Sequence, residues 1–431
     1  MPVNILAKEG KESSPLQNSV SLASESRRVV LPKKDGGLRA WLQVLGAFCL
    51  SFATWGIVNS FGVYQTYYQN ELLSSYTALQ ISWIGSIQAF LLLFVGVLTG
   101  PLFDQGYLNS MLLIGSFLTI LGIMTTSVST TYWQLMLAQG ICVGIGIGTL
   151  FVPSIAVVST YFTTRRAIAT GLAFAGSSIG GIIYPITFRG CQSIGSGWAT
   201  RIIGFISLAL LCTAIATMWT QLPSKPPRSL YQLSAFKSGP YALASLGMAF
   251  GFAGLYIPMF YIQIYALSTE STSSDSYDFY LLAILNAGSF FGRVIPNFLA
   301  SKIGSLTMLV LCAVAAGILS LCWIAIDDVV GLTFFAVIYG FFAGAYVSLT
   351  PPVLVGMTPD LSMAGTYLGM SMFLAACGLL LGNPIAGSLV NIEEKRFIGA
   401  QAFTGGLILT SAGLLAAALV IRARERKSWK V

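Results

Sequence analysis

Apolar residues come along this chain in runs of about twenty, long enough for a helix to cross a bilayer core about 30 Å thick. Taken in order, the runs predict twelve helices. The first six cover Ala40–Tyr64, Leu79–Leu102, Leu108–Val128, Tyr132–Val158, Ala167–Phe188 and Arg201–Gln221. The second six cover Pro240–Ala266, Phe279–Ala300, Leu306–Ile326, Gly331–Leu354, Ala364–Val390 and Phe397–Arg422. Short breaks of Gly, Ser, Thr, Pro and charged residues separate them, the composition expected where chain meets water.

The pattern repeats at an offset of roughly two hundred residues, the mark of parallel internal repeats. Gly140, Gly144 and Gly148 ahead of Pro153 match Gly340, Gly344 and Ser348 ahead of Pro352, and Gly176 and Gly180 before Pro185 match Gly378 and Gly382 before Pro384. Small residues four apart put a smooth stripe along a helix, which lets neighbours pack closely and would also let them slide. The longest polar link, Leu222–Gly239, carries Pro223, Pro226 and Pro227 and falls near the middle. The expected organisation is a disordered cytoplasmic tail over residues 1–39, a six-helix half over 40–221, a cytoplasmic connector over 222–239, a second half over 240–422 and a basic tail over 423–431. The expected fold class is an all-α membrane protein of twelve transmembrane helices in two pseudo-symmetric six-helix halves.

Composition agrees with a lipid environment: of 431 residues 55% are hydrophobic and 9% charged, too few charges to clothe a soluble protein of this length. No signal peptide is expected, because the polar, Ser-rich start holds no apolar stretch before the first span. Histidine is absent, which removes the commonest general base and the usual ligand of zinc, haem iron and copper. The seven cysteines are scattered without a C-x-x-C pair and read as small buried hydrophobes, so neither metal nor cofactor is expected. No cluster of acid and base residues suggests an enzyme, and no ATP-binding motif appears, which leaves a gradient to drive any transport. A channel or receptor would instead show ion currents above carrier turnover, or signalling without solute flux.

With both ends on one side, 18 of the 23 Lys and Arg fall on that side, and the positive-inside rule makes it the cytoplasm. The opposite loops hold Glu71, Glu270, Asp275, Asp278, Asp327 and Asp328. The net charge of +8 is then a property of the inner membrane face and not a nucleic-acid footprint. The expected partners are the bilayer and a small organic solute, with a proton gradient as one candidate driving force and a monomer as the working unit. The plasma membrane is the expected location.

Arg293 is the one charged residue well inside a run, and holding a guanidinium there costs about 2.5–3.5 kcal/mol on insertion scales. Its functional reading is a grip on a carboxylate or enolate oxygen by paired, charge-assisted hydrogen bonds. The plain alternative is a side chain that snorkels or pairs with backbone carbonyls. Asn59, Gln65, Gln88, Gln139, Gln263, Asn286 and Asn383 are amides in apolar runs, where each needs a partner. Asn59, Asn286 and Asn383 are the candidates for lining a cavity, against simple interhelical bonding. Tyr256, Tyr261 and Tyr346 offer rings to a flat solute, although such residues more often pack or anchor. Asp104 at the end of one helix, with Arg165 and Arg166 before another, suggests a cytoplasmic latch; setting topology is the alternative role of the two arginines. An exposed pair contributes only about 0–1 kcal/mol, which still shifts a balanced two-state equilibrium several-fold.

Several motifs carry a family resemblance. Tyr161-Phe162-Thr163-Thr164-Arg165-Arg166-Ala167-Ile168-Ala169-Thr170-Gly171, continuing through Gly176, Gly180 and Gly181, resembles the fifth-helix signature of the monocarboxylate porter family of the major facilitator superfamily. Asp35-Gly36-Gly37-Leu38-Arg39-Ala40-Trp41 is similar to that family's signature before its first helix. Gly100-Pro101-Leu102-Phe103-Asp104-Gln105-Gly106 resembles the superfamily loop after helix 2, and Gly292-Arg293-Val294-Ile295-Pro296-Asn297 the family's helix 8. The run Asn59 to Tyr68 is most similar to the fungal branch, whose substrates vary widely. Together these cover nearly the whole chain past the tail.

The resemblance implies a twelve-helix carrier with Arg293 in its substrate site. The chain departs from proton-coupled lactate carriers of the family at two positions: Asn59 stands where they have a lysine, and Ser289 where they have an acid. Gln105 and Ser301 also replace charged residues common in the two superfamily loops. The expected function is therefore efflux of an organic-acid-like or secondary metabolite by alternating access. Uptake of a monocarboxylate or vitamin-like solute is the second reading.

Overall fold

A computed structural model describes residues 36–162, 166–218, 230–268, 280–359, 363–392 and 394–426, and among them every long apolar run is helical. Among the described residues, twelve helices are long and apolar enough to cross a membrane. In chain order they are α1 (Leu38–Leu72), α2 (Ala78–Asp104), α3 (Leu108–Thr126), α4 (Tyr132–Val158), α5 (Ile168–Gly190) and α6 (Ser196–Thr217), then α7 (Gly239–Ser268), α8 (Tyr280–Ile303), α9 (Ser305–Ala325), α10 (Val329–Met357), α11 (Ala364–Ser388) and α12 (Ile398–Glu425). Residues 1–35 of the expected tail, residues 222–229 of the central connector, Arg165 and the last five residues lie outside the described residues.

Local chemistry sets the helix starts. The Thr77 hydroxyl accepts from the Gln80 backbone N–H at 3.3 Å while the Gln80 side chain accepts from the Thr77 backbone N–H at 2.9 Å, a reciprocal cap that satisfies two orphan donors of α2. Asp328 caps α10 by accepting from the Gly331 N–H at 2.9 Å. The largest boundary difference from the sequence reading is in α1, which continues past Tyr64 to Leu72. Its polar-looking continuation is aromatic and half sunk in protein: Tyr64 and Tyr67 pack on Phe188 at ring distances of 4.7 and 5.6 Å. Packing keeps helical a stretch whose average apolarity has already fallen.

The small-residue stripes join helices within each half, in matching pairs. Gly176 and Gly180 of α5 lie on the α1 backbone, and Gly378 and Gly382 of α11 lie on the α7 backbone. Gly144 and Gly148 of α4 lie on α2, and Gly340 and Gly344 of α10 lie on α8. A Cβ at Gly382 would stand 1.9 Å from the Ala253 carbonyl, and one at Gly340 would stand 2.0 Å from that of Leu285, so these contacts exclude any side chain.

Helices α1–α6 pack chiefly among themselves, as do α7–α12, and the two sets meet along α2–α11 and α5–α8. A third contact closes the end of the bundle that carries the α1–α2 loop. There α1 breaks at Ser60 and α7 at Tyr256, and the following segments, Phe61–Tyr67 and Ile257–Ser268, pack on each other. Phe61 and Phe260 meet at 4.8 Å, and a Cβ on Gly62 would stand 2.2 Å from the Met259 carbonyl. Tyr261 donates to the Asn383 carbonyl at 3.2 Å beside this seam. No comparable packing joins α4 to α10 among the described residues.

Candidate functional site

Four helices converge where α1 and α7 break. Helix α8 supplies Asn286, Ser289 and Arg293 at intervals of three and four residues, which places them along one face of the helix. That face is pressed on α5: a Cβ on Gly181 would collide with the Asn286 amide, and the Ser178 hydroxyl donates to that of Ser289 at 3.5 Å. On the far side of α5, Asn59 of α1 donates to the Ser177 carbonyl at 3.4 Å. Tyr256, at the break of α7, comes within electrostatic reach of the Arg293 guanidinium.

Arg293 is only 1% exposed, which rules out snorkelling to either membrane face. Its Nε donates to the Ser289 hydroxyl at 3.3 Å, and its Nη1 has no partner among the described residues. No carboxylate pairs with it among the described residues. A buried unpaired donor on a charged group costs several kcal/mol unless something fills the vacancy.

Other uncommitted groups lie on α1, α7 and α8. The Tyr256 hydroxyl, the Trp55 indole N–H and the amide oxygens of Asn59 and Asn286 are buried without partners. Trp55 stacks near Tyr256 at 6.2 Å and 27°, and Phe252 lies on Tyr256 at 6.4 Å and 19°. Phe151 of α4 closes on the edge of Trp55 at 5.9 Å. The arrangement offers one cation, two neutral donors and two amide oxygens beside flat aromatic faces. Those are the features that hold a planar solute bearing an acidic oxygen.

The remaining sequence candidates lie elsewhere. Asn383 sits on α11 by the α1–α7 seam, its amide unpartnered and its carbonyl accepting from Tyr261. The Tyr346 hydroxyl is engaged by Ser411 at 2.9 Å and reaches the Gly247 carbonyl at 3.4 Å, so it ties α10 to α12 and α7. Gln139 accepts from Tyr68, and Gln65 donates to the Ala78 carbonyl at 3.5 Å. Gln88 and Gln263 are buried with unpartnered amides. Asp104 ends α2, but Arg165 and the Arg166 side chain lie outside the described residues. Sequence reasoning passed over Trp55, although a tryptophan at mid-depth, away from the interfacial belts where that residue concentrates, is itself a signal. It also treated Ser289 only as a missing acid, and not as the hydroxyl that orients the guanidinium.

Tyr256→Phe removes one free hydroxyl and keeps the ring stack. It is expected to weaken the binding of such a solute about tenfold, the value of one hydrogen bond of about 1–1.5 kcal/mol, with an unchanged amount of folded protein. Titrating the purified protein with flat organic acids would measure this; an unaltered affinity would take the hydroxyl out of the site.

A sequence model of the Major Facilitator Superfamily matches residues 43–329. Among curated proteins, the chain is 44% identical to the MFS-type transporter dbaD of Emericella nidulans, over 88% of this chain and 86% of that protein. It is 38% identical to the aspyridones efflux protein apdF of the same organism, over 91% of this chain and 82% of that protein. It is 32% identical to the agnestins efflux protein AgnL12 of Paecilomyces divaricatus, over 96% of this chain and 95% of that protein.

Proposed function

Since the chain belongs to the major facilitator superfamily and is a multi-pass membrane transporter, not an enzyme, we propose that it exports a planar organic acid of secondary metabolism by alternating access. One observation carries the substrate class: a buried guanidinium whose Nη1 is free and which has no acidic partner among the described residues, set beside the Trp55–Tyr256 stack. A site that leaves a cation unpaired in low dielectric is completed by an anionic ligand. The relatives named for export of aspyridones and of agnestins support the direction.

In this reading the halves over 40–221 and 240–422 rock about the α2–α11 and α5–α8 contacts. Asp104 with Arg165 and Arg166 forms the cytoplasmic latch. The bias of basic residues supports both termini on the cytoplasmic side, and export of a metabolite from the cell calls for the plasma membrane. The chain's motifs support placement in the monocarboxylate porter family, with a binding site altered at Asn59 and Ser289. In this reading Asn59, Asn286, Tyr256 and Trp55 contact the substrate together with Arg293, and Asn383 works at the seam. Tyr346 holds the helices behind it.

The test compares the metabolites inside and outside cells with and without the gene. One family of flat, acidic compounds should accumulate inside and fall outside when the gene is removed. Identical profiles would end the export reading.

A further inference from the structure

Resting on the organic-anion reading above, we infer that the carrier moves its substrate as a bare anion without a coupled proton, so that the membrane potential drives export. The starting observation is where acids are found. Within the twelve spans Asp and Glu occur only near the ends, as Glu71, Asp104 and Glu425, and the chain has no histidine. Proton coupling through a protein needs a group at mid-depth that gains and loses a proton in each cycle. Arginine does not serve, because it stays protonated.

The neighbours of Arg293 do not serve either. Helix α8 packs on α5, α7, α9 and α10. Their titratable groups facing the membrane interior are tyrosines, with Tyr256 in electrostatic reach of the guanidinium, and the thiols of Cys312 and Cys322 on α9. Neither a phenol nor a thiol is the carboxylate or imidazole of which proton relays inside membranes are built. Charged residues on these helices stand at their ends: Arg189 on α5 and Lys302 on α8, with Asp328 capping α10. The hydroxyl of Ser289 fills the place next to Arg293 where an acid could have exchanged a proton.

The charge balance of the cycle follows. A monoanion on Arg293 makes a locally neutral complex, and that complex crosses without work against the field. After release the empty carrier holds an uncompensated guanidinium, and its return is the step that feels the potential. An inside-negative membrane draws that positive charge back toward the interior, resetting the site to load again. One negative charge leaves per cycle, and no proton, cation or second anion is required.

Purified protein in liposomes tests this with 2,4-dihydroxybenzoate, a flat phenolic anion, as the probe. A potassium gradient with valinomycin sets the potential, and buffers set the pH difference independently. With equal pH and a potential of about 100 mV positive inside, the probe should approach a steady excess inside of about 50-fold over protein-free vesicles, the limit for one charge at roughly 2.3 kcal/mol per 100 mV. A pH difference with the potential clamped at zero should give no accumulation beyond that in protein-free vesicles. Accumulation that follows the pH difference and ignores the potential would overturn the inference while leaving the organic-anion site intact. Flux only in exchange for a second anion would overturn it equally. No protein-dependent movement of the probe under any gradient would overturn the organic-anion reading and this inference with it.

Discussion

Arg293→Ala is expected to lower substrate flux at least a hundredfold while the protein reaches the membrane at near wild-type amounts. The guanidinium offers a charge-assisted donor at Nη1 that no group among the described residues uses. Two such bonds to a carboxylate or enolate contribute about 1.5–3 kcal/mol each, and about 2.7 kcal/mol already corresponds to a hundredfold. Stability should not fall in step, because truncation also removes a charge whose insertion costs about 2.5–3.5 kcal/mol. Arg293→Lys keeps the charge but loses the planar fork and the Nε bond to Ser289, and should recover only part of the flux. Efflux rates normalised to membrane protein measure both variants. Wild-type flux in Arg293→Ala would make the residue a structural cation.

Gly62→Val should displace the carrier from the conformation described here by five-fold to more than a hundredfold. The reason is the α1–α7 seam, where the position of a Cβ on Gly62 is 2.2 Å from the Met259 carbonyl and 3.2 Å from Leu282. Backbone cannot yield as a flexible side-chain tip does, so the added bulk separates the two segments at a cost of about 1–3 kcal/mol, charged only to the state in which the seam is closed. Cross-linking reads the result: a Phe61→Cys, Phe260→Cys pair, built where the rings meet at 4.8 Å, should link readily in the parent and poorly with Gly62→Val added. Gly62→Ala should fall between them. Equal cross-linking in all three would show that the seam does not hold the carrier shut.

The glycine stripes show how a repeat in one dimension becomes a contact in three. The spacing marked α4, α5, α10 and α11 as helices with a smooth face, but not the helix each face would meet. The structure answers with α2, α1, α8 and α7, all partners inside the same half. The residues of the stripes therefore set the crossing of helices within halves, and the relation between halves rests on α2–α11, α5–α8 and the seam. The amides give a similar lesson. Seven of them stand in apolar runs, with Asn59, Asn286 and Asn383 the expected cavity-lining ones, but polarity along a chain says nothing of which neighbour is within reach. Packing sorts them among the described residues: Gln139 accepts from Tyr68, Gln65, Asn59 and Asn286 each donate to a backbone carbonyl but keep an unpartnered oxygen, and Gln88, Gln263 and Asn383 are left with neither amide atom partnered.

Some of this protein was decided by the order of its residues alone. Lipid forces each crossing segment to satisfy its own backbone, so length and apolarity set the number of helices, and the repeat of small residues and prolines sets their arrangement in two related sets. The solitary mid-span cation and the absence of acids around it in the spans are equally matters of sequence. What tertiary structure decided is that Trp55 and Tyr256, 201 positions apart, stack beside that cation, and that Ser289 and not an acid steadies it. Those neighbours depend on where α1 and α7 break and on how closely α5 admits α8, and such distances arise from the fit between helices that no single helix contains.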